Sequence, residues 1–177
     1  MLIKSDIGIE GAFKLNFDQY VDHRGESIKV LSSTIFTQHG LVPRWEESIL
    51  VNNPSKYTVR GLHFQSPPAS QAKVIICLTG QIRDVVLDIR PHSPSFGVVV
   101  HIQLSNAKTG LYLPPGVAHG YVTLTENTNL FYLLSEERNE LLENGYNIFD
   151  PKINLGVNAS DALVSERDLN LPMFWSS

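Results

Sequence analysis

Apolar positions along this chain fall in short runs, not at helical spacing. Runs rich in Val, Ile, Thr and aromatic residues occupy 27–31, 48–52, 58–63, 73–78, 82–89, 98–104, 110–113, 120–124 and 129–134. Such residues fit a pleated, half-buried surface. Asn53-Pro54, Pro67-Pro68, Thr79-Gly80 and Pro114-Pro115-Gly116 punctuate them, and Gly and Pro supply the backbone geometry of turns. Many short, evenly spaced strands predict an all-β sandwich or barrel. Helix signals are few. The stretch 137–145 predicts a turn of helix ending at Gly145, and Ser165-Glu166-Arg167-Asp168 has the form of a capping box opening a short C-terminal helix.

Composition narrows the classes. A chain of 177 residues is long enough for one domain with a real core, and no linker or repeat divides it, so a single domain over 1–177 is expected. The formal net charge is −4, the wrong sign for non-specific nucleic-acid binding. It still permits an anionic small ligand, because a few local arginines suffice for one diphosphate. Cys77 is the single cysteine, which excludes an intramolecular disulfide and a cysteine-based zinc site. It sits in an apolar run that reads as a buried strand, where a core thiol is expected. No stretch is apolar over the roughly 18–20 residues a membrane helix needs, and no signal peptide is visible at the start. The expectation is a cytoplasmic protein with neither membrane nor nucleic acid as partner.

Four places carry candidate chemistry. Val59-Arg60-Gly61-Leu62-His63-Phe64-Gln65 sets a permanent cation three residues from a titratable base. Histidine is the usual general base near neutral pH; a histidine hydrogen-bonded for structure would look the same. Lys73 opens an apolar strand, where it either snorkels to solvent or enters a pocket and stabilises an oxyanion. Pro114-Pro115-Gly116-Val117-Ala118-His119 has the Pro-x-Gly-x-x-His look of the second cupin metal motif. The first metal motif needs a close histidine pair, and Gln65 stands where its second histidine should be. Two histidines fall short of a usual first-row metal site, so no metal is expected and His119 shapes the pocket. Tyr132 shares a strand face with Leu130 and Leu134 by period-two alternation; it is either a core aromatic or a general acid whose phenol turns into a pocket.

The ordered series of motifs makes a resemblance specific. Arg60-Gly61-Leu62-His63-Phe64-Gln65, Gln71-Ala72-Lys73, Asp88-Ile89-Arg90, Ser93-Pro94-Ser95-Phe96-Gly97, Pro114-Pro115-Gly116-Val117-Ala118-His119-Gly120, Asp150-Pro151 and Ser165-Glu166-Arg167-Asp168 follow one another. From about residue 10 to 172 the chain resembles the dTDP-4-dehydrorhamnose 3,5-epimerase family. The resemblance implies a homodimeric cupin or jelly-roll β-barrel with short peripheral helices and subunit-shared active sites. It implies an isomerase without cofactor, acting on a nucleoside-diphosphate 4-keto-6-deoxy sugar in deoxysugar biosynthesis for surface polysaccharide. It assigns His63 as general base, Asp168 as its orienter, Lys73 to the enolate oxygen and Tyr132 as the acid on the opposite face. Arg24 and Arg60 match phosphate-binding arginines, Arg24 reaching the partner's ligand. Asn52 resembles a polar residue on the approach to the sugar, and Gln65, His119 and Arg138 complete the substrate-binding set. The chain departs from the family at Ser27, where a phenylalanine is expected, and at Arg138, where a second tyrosine is. These changes leave the nucleotide open between dTDP, CDP and GDP, and the inverted centre open between C3, C5 and both. The rivals are a related sugar-nucleotide ketoisomerase, a binding protein without catalysis, and a metal-dependent cupin oxygenase, against which Gln65 argues.

Overall fold

A computed structural model describes residues 1–175. Its strands are β1 (Ile3–Asp6), β2 (Phe13–Asn16), β3 (Asp18–Asp22), β4 (Gly25–Lys29), β5 (Glu47–Asn53), β6 (Val59–Gln65), β7 (Lys73–Thr79), β8 (Ile82–Asp88), β9 (Val99–Leu104), β10 (Thr109–Leu113), β11 (Val117–Thr123), β12 (Thr128–Leu134) and β13 (Glu143–Gly145). Two short helices, α1 (Ser33–Gln38) and α2 (Glu166–Leu169), lie outside them. Six strands form a sheet in the order β1-β2-β10-β7-β12-β5 and five a second in the order β13-β6-β11-β8-β9. The strand β3 pairs with β4 as a separate hairpin. This is the all-β barrel with short peripheral helices that the strand pattern predicts, and each of the nine expected runs falls on a strand.

Strand parity sorts the side chains into three layers. Between the sheets lie Ile75 and Cys77 of β7, Ile82 and Val86 of β8, Val117 and Tyr121 of β11, and Leu130 of β12. Outside the six-stranded sheet, Val74, Ile76 and Leu133 pack on Phe36 of α1 and on Phe17. Outside the five-stranded sheet, Val85, Leu87, Ala118 and Val122 pack on Ile148, Ile153 and Leu155. The strand β7 is therefore buried on both faces, which is why its sequence is nearly continuously apolar. The same parity sends Lys73, Asp84, His119 and Tyr132 to the barrel interior. Polar residues at interior positions of otherwise apolar strands are the mark of a site rather than a core.

Residues 137–145 do not form the expected helix. They make a turn and then β13, which pairs with Glu143 opposite Gln65 and Gly145 opposite His63. Side chains capture the amides that a helix would use. The Glu47 carboxylate accepts from Arg138 N at 2.7 Å, Gln65 Oε1 accepts from Asn139 N at 2.8 Å, and Asn139 Oδ1 accepts from Leu141 N at 3.0 Å. Tertiary partners thus override a locally helical composition. The C-terminal capping box does form: Ser165 Oγ accepts from Asp168 N at 3.1 Å at the start of α2. Helix α1, strands β1 and β2, strand β3 and strand β13 lie beyond the sequence-based expectation.

Candidate active site

The site is built around an irregularity in β6. Strict alternation would put Arg60 and His63 on opposite faces. The β6–β11 ladder slips between His119 and Tyr121, so that His63 faces His119 and Arg60 faces Tyr121. A bulge of this kind re-aims side chains, and both residues turn into the barrel. Gly61 makes the slip possible. Its φ is +101°, and a Cβ there would stand 2.6 Å from the His119 carbonyl oxygen and 2.7 Å from Gly120 Cα. The slip frees the Gly61 amide from the ladder, and Asp168 Oδ2 accepts from it at 3.0 Å.

The other oxygen of Asp168, Oδ1, lies 2.8 Å from His63 Nε2. Burial pushes the Asp168 carboxyl up, but the His63 and Gly61 bonds outweigh it and hold the group below its usual range. An ionised carboxylate only accepts, so Nε2 of His63 carries the proton and Nδ1 keeps the lone pair. The His63 ring is 24% exposed and Asp168 5%, so the base opens to the cavity while its orienter is enclosed.

That cavity measures about 640 Å³ and is lined by Arg60, His63, Gln65, Lys73, His119, Tyr132, Arg138 and Asp168, with Glu143 and Arg167 beside them. Lys73 is buried, and its ammonium donates to the His63 carbonyl at 3.3 Å. Burial pulls its pKa down to about 8, with Glu143 and then Asp84 opposing the fall. The Tyr132 phenol is pushed well above its ordinary value, first by burial and then by Tyr121 and Asp84. It stays protonated at working pH. Its ring meets the His119 ring edge-to-face at 5.8 Å. His119 Nε2 in turn lies 2.9 Å from Asp84 Oδ2, and both residues are buried.

Arg60 is steadied by Asn53, whose Oδ1 accepts from Arg60 Nε and from the Tyr121 hydroxyl, each at 3.1 Å. Asn52, the residue expected on the approach to the sugar, is exposed on the outer side of β5 and is not among the cavity walls. Asn53 fills the inward polar place instead. The alternation along β5 breaks at its last residue, and nothing in the sequence signals that. Gln65 lines the cavity but is committed elsewhere: Nε2 donates to Ala69 O at 2.6 Å and Glu137 O at 3.1 Å, while Oε1 takes the Asn139 amide. It shapes the wall rather than offering free donors. Arg24 lies on the β3–β4 hairpin, bonded to Asp22 at 2.7 Å and 77% exposed, apart from this cavity. Arg138 lines it and bonds Glu143 Oε2 at 2.8 Å.

Among the described residues no group of three or more His, Cys, Asp or Glu is placed to hold a metal ion, and no helix is long and apolar enough to cross a membrane. The arrangement offers a base with a fixed tautomer, a cation at the cavity floor and a protonated phenol. Such a set suits proton removal beside a carbonyl and proton return from another direction.

Known proteins with similar sequences and folds share this chemistry in their names. A dTDP-4-dehydrorhamnose 3,5-epimerase of Mycobacterium tuberculosis is 32% identical over 96% of this chain and 86% of its own length. A dTDP-4-dehydrorhamnose 3-epimerase of Streptomyces niveus is 29% identical over 92% and 79%. The crystal structure of dTDP-4-dehydrorhamnose 3,5-epimerase from Bacillus anthracis with TDP and PPi bound superposes with a TM-score of 0.91 at 26% identity, covering 98% of this chain and 99% of that one. The family profile described as dTDP-4-dehydrorhamnose 3,5-epimerase matches residues 6–176, and the chain belongs to that family.

Proposed function

We infer that the protein is a cytoplasmic, homodimeric epimerase with one domain over 1–177, which inverts C3, C5 or both in a nucleoside-diphosphate 4-keto-6-deoxy sugar during deoxysugar biosynthesis. One observation carries this reading: a carboxylate-oriented histidine and a protonated tyrosine line one cavity with a buried lysine. The C4 ketone acidifies the hydrogens on C3 and C5. His63 Nδ1 removes one of them as a proton, and the electron pair it leaves moves to O4. Lys73, with its pKa near 8, is mostly cationic at neutral pH and stabilises the enolate oxygen. Tyr132 returns a proton from the opposite face, which inverts the centre, and His63 gives up its proton to solvent. General acid–base help of this kind contributes about 10²–10⁴-fold.

Arg60 presents its guanidinium to the ligand diphosphate, a match of fork to phosphate. Arg24 does the same for the partner subunit's ligand: its hairpin stands apart from both sheets and exposes Tyr20 and Val21 at 68% each. Arg24→Glu should therefore raise the apparent KM far more than it lowers kcat; unchanged nucleotide affinity would remove the shared-site part of this reading. With the Gln65 amide already spent on backbone groups, the wall lacks the metal-binding side chain of other cupins, and chelator treatment should leave the rate unchanged.

The reading is tested with dTDP-4-keto-6-deoxyglucose in D2O. Wild-type protein should place deuterium at C3, C5 or both, and His63→Ala should abolish uptake. Wild-type protein that binds this sugar nucleotide yet takes up no deuterium would be a binder without catalysis.

A further inference from the structure

Glu143 has no part in the base, the oxyanion partner or the acid, yet it lines the same cavity. It opens β13, opposite Gln65 and two residues before the partner of His63. Its side chain is 14% exposed, and a single oxygen, Oε2, accepts from Arg138 at 2.8 Å and from Arg167 at 2.9 Å. Both arginines are about half open to the cavity. Lys73 bonds the His63 carbonyl on the strand that β13 pairs with. One carboxylate therefore faces three cationic side chains.

Resting on the epimerase reading, we propose that Glu143 is a positioning residue of the reaction: its carboxylate fixes Arg138 and Arg167 at the cavity wall and supplies the negative charge facing the Lys73 ammonium. Burial pushes the Glu143 carboxyl up, but the Arg138 and Arg167 bonds outweigh it and hold the group below its usual range, so it is anionic at any working pH. The other groups around Lys73 are Asp84 from β8, His119 from β11, His63 from β6 and Tyr132 from β12. Asp84 is committed to His119 and Asp168 to His63. Tyr132 is neutral. Glu143 is thus the main counter-charge that keeps a buried lysine near 8 from falling further. Replacing it by the isosteric amide removes the charge and keeps the shape. An opposite charge at close range moves a titration by about one pH unit or more. Arg138→Ala acts the other way, because it deletes a cation that competes for the same carboxylate.

The test follows Lys73 directly and needs no substrate. Protein with lysine labelled by ¹³C at Cε is titrated by NMR, the Lys73 signal being identified by its loss in Lys73→Met. The wild-type midpoint is expected near 8, Glu143→Gln about one pH unit lower, and Arg138→Ala at or above wild type. Equal midpoints in wild type and Glu143→Gln, with the fold intact by circular dichroism, would overturn the proposal. So would a fall of the same size in Arg138→Ala, which would signal general loosening of the wall. Where Glu143→Gln does not fold, Arg138→Ala and Arg167→Ala carry the test: neither raising the midpoint overturns it. Deuterium uptake from D2O is then read as a function of pH. Its alkaline limb should move with the lysine midpoint in Glu143→Gln. A wild type without uptake defeats the epimerase reading, whereas the NMR midpoints judge Glu143 alone.

Discussion

The barrel holds two histidine–carboxylate pairs that face each other across β6 and β11, and they are built differently. His63 with Asp168 and His119 with Asp84 have nearly the same Nε2-to-oxygen distance, 2.8 and 2.9 Å. Their exposure separates them: the His63 ring is 24% open and the His119 ring 5%. Donor supply separates them further. Asp168 receives a proton donor on each oxygen, His63 on one and the Gly61 amide on the other, and its carboxyl is held low. Asp84 is fully buried with one donor. Its Oδ1 has no partner among the described residues, and burial pushes its carboxyl up despite His119 and Lys73. A fully bonded carboxylate behind an open ring makes a base; a half-bonded one behind a sealed ring makes a wall.

The largest effect should come from the open pair. His63→Ala and Asp168→Ala should each cut turnover by about 10²–10⁴-fold. The double variant should lose little more than the worse single one, since both changes disable one base. Additive losses would mean that Asp168 acts independently of His63.

Next in size is the lysine beneath the pairs. Its folded pKa near 8 lies below the unfolded value of 10.5. The unfolded chain therefore binds more protons between those values, and stability rises with pH across that window. The gap corresponds to roughly 3 kcal/mol. Denaturant melts at pH 7 and pH 10.5 should show this rise in wild type and its loss in Lys73→Met. A wild-type profile that is flat after other titrating groups are allowed for would place the ammonium in solvent.

The sealed pair should act mainly through stability. His119→Ala removes the one donor of Asp84, and leaving a buried acceptor unmet costs about 1–3 kcal/mol. Deuterium exchange into substrate should fall much less than in His63→Ala at matched folded fraction. A loss equal to that of His63→Ala would erase the distinction between the two pairs.

Much of this contrast was legible in the sequence. The strand runs, the Arg-x-x-His spacing, the interior parity of Tyr132 and the capping box that carries Asp168 all stand in the order of residues. The bulge at Gly61 was not, and it alone brings Arg60 and His63 to one face. Period-two reasoning places Asn52 correctly on the outer face of β5 but says nothing of Asn53, which turns inward where the strand ends. The 137–145 stretch is helical by composition, and only the distant Glu47 and Gln65 side chains explain why it is not a helix. Strands β1 and β3 are largely exposed, so they leave no apolar alternation to read.

The division of labour between His63 and Tyr132 is tested most directly in Tyr132→Phe, by measuring deuterium content and configuration of the sugar in one sample after turnover in D2O. Removal and return of protons on the His63 face survives without the phenol, so deuterium should still enter while inverted product falls steeply. A thermal melt of the same preparation should drop by no more than about 1 kcal/mol in stability. Loss of exchange together with inversion would make Tyr132 necessary for reaching the enolate, and full inversion in Tyr132→Phe would mean that another group supplies the proton; either result contradicts the account.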